Sequence, residues 1–306
     1  MINCLAFDLG AGSGRLAVSE YDGHTVQMRD VHRFENGAVE IGRSLYWDVG
    51  MIWDEFMAGF HRAITEYPAL SSVGIDSFSN DFALLSKNGD IISPIHCYRD
   101  PRTLRNEDAI YAQMSKESLY RISGNQIAPF NTLMQLAAMS LEGRGELLRE
   151  ADTLLFLPDY FNFMLTGARR TERTIASVSQ MYDHRTKDWS DFVLERFGIE
   201  RRMFATFVDA GAFVGEINLG ALGAEDVPNV MSASGVKRRP LVCAVPEHDT
   251  ASAFMAAQAD ESTLVVSSGT WTIVGCETAA PVITDYGFRH NIANEEIGRA
   301  SCRERV

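Results

Sequence analysis

The sequence lacks paired cysteines, a long apolar run and an excess of positive charge. Its five cysteines, Cys4, Cys97, Cys243, Cys276 and Cys302, are scattered. None sits in a CxxC pair or at a Cys/His ligand spacing, which excludes a disulfide framework and a zinc site and leaves them as small buried hydrophobes. The seven histidines show no ligand spacing either. No run approaches the length that spans a bilayer, and the opening MINCLAFDLG has no basic region followed by a long apolar one. A cytoplasmic protein without a membrane partner is expected. With 28 Lys and Arg against 41 Asp and Glu, the formal charge is -13. Nucleic acid is engaged through basic patches, so it is not expected as a partner. The small clusters Arg169-Arg170, Arg201-Arg202 and 237–239 read as solvated turns.

What the chain does have is length, an apolar fraction of 46%, and glycine in telling places. Its 306 residues suffice for two domains with their own cores, and a single large α/β domain also fits. The stretch FDLGAGSGR, residues 7–15, sets Asp8 and three glycines behind a short apolar strand. Residues 15–21 read as a second strand, Asp22-Gly23 as a hairpin turn and 26–34 as a third strand. A dinucleotide fingerprint needs its glycines to open a helix; here a strand follows Gly10, Gly12 and Gly14, which disfavours a Rossmann site.

Ile52, Phe56, Phe60, Ala63, Ile64 and Tyr67 predict a helix over 51–67. Strands over 72–76 and 81–85 follow, closed by Asn88-Gly89. Helices are expected over 104–114, 132–141, 158–165, where Pro158 suits a helix start, and 192–197. The polar, glycine-bearing segment 232–240 marks the expected domain boundary. Beyond it the pattern gives strands over 241–245, 263–266 and 271–275 and a helix over 249–257. The turn 267–270 repeats the order of strand, polar glycine turn and strand, which suggests two related halves facing each other. The expected division is 1–240, 241–295 and a non-native tail over 296–306. That tail, EIGRASCRERV, loses apolar periodicity, turns basic and resembles the translated read-through of a sequencing adapter.

A tight glycine turn between strands aims backbone N–H groups in one direction, and such nests bind anionic oxygens. A plain hairpin explains the same residues. Two such turns, one per domain, would grip a triphosphate from both sides, with Ser13, Arg15 and Thr270 as further donors. Asp8, beside the first turn, suits Mg²⁺ held through its waters, since that ion favours one or two carboxylates plus substrate phosphates. In His248-Asp249-Thr250 the carboxylate reads either as an N-cap or as a base that takes a proton from a hydroxyl attacking phosphorus. Tyr98, Arg99 and Asp100 read as a sugar contact or a structural ion pair, and the Met and aromatic residues of LPDYFNFMLTG as core.

Taken in order, FDLGAGSGR, GIDSFSNDFALL, YRDPRT, FNTLMQL, LPDYFNFMLTG, EHDTASA and VSSGTW resemble the motifs of the FGGY carbohydrate kinases, most closely members acting on rhamnulose. The resemblance runs from residue 2 to about 295. It implies an α/β chain of actin-like (ribonuclease H-like) fold, two domains around a cleft with the second incomplete, and ATP, Mg²⁺ and a ketose in that cleft. It assigns Ala11, Gly12, Ser13, Gly14 and Arg15 to the first phosphate loop and Thr270 to an ATP contact in the second. Asp8 would serve the metal and Asp249 would be the catalytic base, with Ser79, His248 and Thr250 at the sugar. The implied reaction moves the γ-phosphoryl group of ATP to a ketose hydroxyl, for rhamnulose the one on C1.

Two departures stand out. Where the family reads DTWGVDF this chain reads DSFSNDF, residues 76–82. Ser79 thus replaces a glycine that lies against the sugar and Phe78 a tryptophan, which bears on the ketose admitted. The family's later sugar-binding asparagine, ATP-binding glutamine and adenine loop are not found up to residue 295. The chain by itself is therefore expected to be inactive. A kinase for fuculose, xylulose or another polyol, and an actin-like ATP-binding sensor without a phosphoryl acceptor, are the alternative readings.

Overall fold

The computed structural model describes residues 1–218, 230–231, 237–260, 262–268, 272–297 and 300–305. β1 (Ile2–Leu9), β2 (Ser13–Tyr21) and β3 (Val26–Glu35) form the expected antiparallel meander. In β1 every second residue, Leu5, Phe7 and Leu9, is buried, as a strand half-covered on one face requires. α1 (Val49–Glu66) starts where the Asp48 side chain accepts from the Met51 amide, and it buries Ile52, Phe56, Phe60, Ala63 and Ile64 along one stripe. Phe56 meets Phe7 of the sheet at 5.1 Å between ring centroids. The chain then returns as β4 (Leu70–Ser77), parallel to β1 with Asp8 opposite Asp76.

β5 (Phe82–Leu85) leaves that sheet and pairs antiparallel with β6 (Thr153–Phe156). Between them lies a helical region with its own core around Leu133, Leu136, Leu154 and Phe156, including α2 (Thr132–Met139). The single helix expected over 104–114 is two helices, Arg102–Arg105 and Glu107–Gln113, because Asn106 leaves helical geometry at φ -109 and ψ 5. α3 (Leu157–Thr166) follows, with Pro158 in its first turn and Gly167 ending it at φ 74.

β7 (Phe213–Glu216) and β8 (Leu241–Cys243) complete the first sheet, whose order is β7-β8-β4-β1-β2-β3. β8 runs parallel to β4, with Val242 opposite Val73. The strand just past the boundary expected at 240 thus belongs to the first sheet. Strand periodicity shows that a strand exists, not which sheet it joins.

α4 (Asp249–Ala257) leads to a second sheet of β9 (Val265–Ser268), β10 (Thr272–Glu277), β11 (Ala293–Glu296) and β12 (Ala300–Arg305), in the antiparallel order β9-β10-β12-β11. β12 lies in the stretch expected as a tail, and Ile297 packs with Ala251 and Phe254. Of the described cysteines Cys97 is buried, whereas Cys4, Cys243 and Cys276 are only half-buried; all four are free thiols. Among the described residues no helix is long and apolar enough to cross a membrane.

Candidate active site

The bend between β1 and β2 is closed from within, because the Gly10 amide donates to the Ser13 carbonyl at 2.9 Å. Asn36, just past β3, pins it from the side: its Nδ2 donates to the Gly10 carbonyl at 2.8 Å and its amide to the Gly12 carbonyl at 3.2 Å. Gly14 has no room for a side chain, since a Cβ there would lie 2.1 Å from the Phe34 ring. Asp8 ends up beside Arg15 across the meander, with Nη2 donating to Oδ2 at 2.9 Å.

The second component is the turn before α4. Ser77, the last residue of β4, donates its amide to the Glu247 carbonyl at 2.9 Å and so fixes the turn to the first sheet. Asp249 is the first helical residue; His248 holds the N-cap position without a side-chain cap bond, so the capping reading of Asp249 is not realised. Thr250 Oγ1 donates to Asp249 Oδ1 at 3.0 Å. His248 Nδ1 lies 2.7 Å from Glu295 Oε1, and its Nε2 3.5 Å from Asp249 Oδ1.

Both components open into one cavity of about 530 Å³. Of the residues singled out in the sequence, Asp8, Ala11, Arg15, Ser79, His248, Asp249 and Thr250 line it. Gly12 and Ser13 lie exposed on the bend and Gly14 is buried under Phe34; none of the three is in the lining. Thr270 lies outside the described residues, while Ser267 of β9 and Ile273 of β10 wall the cavity from the second sheet.

Further residues complete the wall, and of these Asp76, Phe130 and, behind them, Asp81 carried no assigned role in the sequence. Asp76 faces the cavity beside Asp8, and its Oδ1 is buried without a hydrogen-bond partner. Burial, then the charges of Asp8 and Asp249, push its carboxyl well above the usual carboxylate range, against a hydrogen bond from Ser252. Phe78, Tyr98 and Phe130 form an aromatic wall, with Phe78 4.7 Å from Trp47 and 5.7 Å from Tyr98 between centroids. Buried Asp81 organises that wall. Its Oδ2 accepts from Trp47 Nε1 at 2.6 Å and from the Tyr98 amide at 2.9 Å, and its Oδ1 from Gln135 Nε2 at 2.8 Å. Asn80, between Ser79 and Asp81, is held at φ 80 by α2: its carbonyl accepts from Thr132 Oγ1 at 3.0 Å. A non-glycine residue in that region is strained and persists only when its surroundings over-determine it.

The two readings of Tyr98, Arg99 and Asp100 separate by residue. Tyr98 lines the cavity, with the Arg99 guanidinium over its ring at 4.9 Å. Asp100 is buried and structural, accepting from the Leu45 and Arg102 amides at 2.8 Å each. The signal for Asp76 and Asp81 was present in GIDSFSNDFALL. What was missing is the parallel pairing that sets Asp76 beside Asp8.

Comparison with known proteins follows the same lines. Residues 3–236 match the FGGY family of carbohydrate kinases, N-terminal domain. The chain is 33% identical to a rhamnulokinase of Oceanobacillus iheyensis over 98% of its own length and 61% of the relative's. It is 33% identical to a rhamnulokinase of Bacteroides thetaiotaomicron over 96% of its length and 58% of the relative's. It therefore spans about three fifths of these curated relatives. Among solved structures, a ligand-bound xylulose kinase from Lactobacillus acidophilus superposes with a TM-score of 0.83 at 12% identity, covering 99% of this chain and 59% of that one. A glycerol kinase from Plasmodium falciparum with ADP gives 0.81 at 12% identity, over 100% and 61%. These likenesses establish the fold, and the expected α/β, actin-like architecture is the one observed. The chain belongs to the FGGY family of carbohydrate kinases.

Proposed function

We propose that the protein to which this chain belongs is an ATP-dependent sugar kinase that transfers the γ-phosphoryl group to a ketose hydroxyl, with L-rhamnulose, giving L-rhamnulose 1-phosphate, as the substrate. The observation that carries this reading is one shared cavity, in which a helix-start carboxylate, Asp249, faces the strand-end pair Asp8 and Arg15. Asp249 takes the proton of the attacking hydroxyl, a role worth roughly 10²- to 10⁴-fold in rate. Thr250, which donates to Asp249 Oδ1, orients the carboxylate. His248, held by Glu295, and Ser79, both in the cavity lining, contact the sugar.

The phosphate chain lies along the β1–β2 bend, where Ala11 and Arg15 face the cavity; Thr270, outside the described residues, is a further ATP contact in this reading. Asp8, with the unserved Oδ1 of Asp76 beside it, fits a hydrated Mg²⁺, which prefers few carboxylates. When bound, that ion neutralises charge developing on the transferring group. The rhamnulokinase relatives favour rhamnulose. The fold shared with xylulose and glycerol kinases keeps another ketose or polyol as the second reading.

The test is a coupled ADP-release assay of the full-length protein with a panel of ketoses. Asp249→Asn is expected to abolish rhamnulose-dependent turnover and to leave ATP binding intact. Undiminished turnover removes the base assignment, and ATP hydrolysis indifferent to every sugar points to a nucleotide-binding sensor instead.

A further inference from the structure

Behind the turn that carries His248 and Asp249 lie three carboxyl groups that do not reach the cavity. Asp159 of α3 is 2% exposed; Glu172, at the end of the strand Arg170–Glu172, and Glu247 are 0% exposed. Glu172 is served as a carboxylate. Its Oε2 accepts from the amides of Thr174 at 2.8 Å, Ile175 at 3.2 Å and Glu247 at 3.2 Å, and from the Thr174 hydroxyl. Asp159 Oδ1 accepts from the Glu172 amide at 2.9 Å, and Glu247 Oε1 from Asn162 Nδ2 at 2.7 Å.

Three oxygens remain, Asp159 Oδ2, Glu172 Oε1 and Glu247 Oε2, all buried and reached by no donor group among the described residues. The Asp159 and Glu247 carboxyls share this one buried cluster, in which Asn162, on the same helix as Asp159, donates to Glu247, and each acts on the other's protonation. Ionised carboxylates only accept, so two of them kept together out of water require a proton in between.

We propose that Glu247 and Asp159 share one proton, and that this pair, together with Glu172 holding the Glu247 amide, is a latch that positions the turn bearing Asp249. The latch joins α3, the segment 170–175 and the end of β4 to a single residue: Glu247 is tied by its side chain, by its amide and, through Ser77, by its carbonyl. The charges acting on it point the same way. Burial and the charges of Asp159 and Glu172 push the Glu247 carboxyl well above its ordinary range, and burial together with Glu172 raises Asp159. Glu172 itself is pushed up to about 7 by burial, against its donors. This also gives a task to the polar residues of LPDYFNFMLTG, Asp159 and Asn162, which the core reading of that motif left without one.

Glu247 is thus a positioning residue, and only its bearing on catalysis rests on the reading of Asp249 as base. In infrared spectra of this chain at neutral pH, a protonated-carboxyl band is expected to lose intensity in both Glu247→Gln and Asp159→Asn. Amide exchange across 247–252 is expected to run about tenfold faster in Glu247→Ala and near the native rate in Glu247→Gln, whose amide N–H replaces the shared proton. If Glu247→Ala does not fold, Asn162→Ala, which removes one donor to the same carboxyl, is read by the same exchange. Unchanged band intensity in both isosteric variants, or equally fast exchange in Glu247→Gln and the alanine variant, overturns the latch. Turnover retained by Asp249→Asn in the full-length protein removes the base and leaves the latch standing, so the two failures are distinguishable.

Discussion

Ser79 places a hydroxymethyl group on the cavity wall, where its Oγ accepts from Asn80 Nδ2 at 2.9 Å and keeps its own proton to donate. Beside it Phe78 fills the space between Trp47 and Tyr98. A pocket discriminates by the atoms it must accommodate and the polar groups it leaves unpaired, and one small group is worth roughly 10- to 200-fold. Ser79→Gly is therefore expected to change the ratio of kcat/KM between rhamnulose and a second ketose by about tenfold or more, measured on the sugar panel. At this scale Asp8, Arg15, His248 and Asp249 were legible because each stands in a short run whose chemistry is local. Asp76, Asp81 and Glu247 were not, because their importance comes from burial and from partners 54 or more positions distant: Asp8 for Asp76, Gln135 for Asp81, Asn162 for Glu247.

The elements that alternate plainly are those the sequence foretold. The meander β1–β3 carries a two-residue period and an Asp22-Gly23 turn, and α1 a full apolar stripe. The break at Asn106 and the sheet to which β8 belongs depend on tertiary contacts, so neither is written in local periodicity. The joint between β5, α2 and the aromatic wall is Asp81, whose carboxyl burial pushes up to about 7 from 3.8. The folded state then holds a proton that the unfolded chain has released, so this contribution is present below about pH 4 and is lost as pH rises through about 7. His184 works in the other direction. Burial lowers it from 6.5 to about 4, so the unfolded chain takes up the proton first and stability falls as pH drops from about 6.5 toward 4. Denaturant unfolding across pH is expected to show both limbs, and Asp81→Asn to flatten the decline toward pH 7 whatever its effect on absolute stability.

For the whole molecule, the two-half organisation was anticipated from a repeated strand and turn, and the cavity does draw walls from both sheets. The second turn of that pair, at Gly269 and Thr270, lies outside the described residues. The edge strands are unusually apolar: Leu264 before β9 is 66% exposed, Val266 on β9 58% and Phe213 on β7 57%. Apolar edges with unpaired backbone groups invite pairing with another chain. Sedimentation velocity is expected to show this 306-residue chain self-associating as its concentration rises, and Val266→Lys to reduce that association. The same chain is expected to release no ADP in response to sugar, and robust release would contradict this.

The bond from the Ser77 amide to the Glu247 carbonyl has a kinetic corollary. It ties the loop proposed to meet the carbohydrate to the turn proposed to deprotonate it, so a rotation of the second sheet is expected to leave their mutual geometry unchanged. On the proposed function, sugar binding is then expected not to wait for the nucleotide, and product-inhibition patterns in the full-length protein to show the ketose adding first.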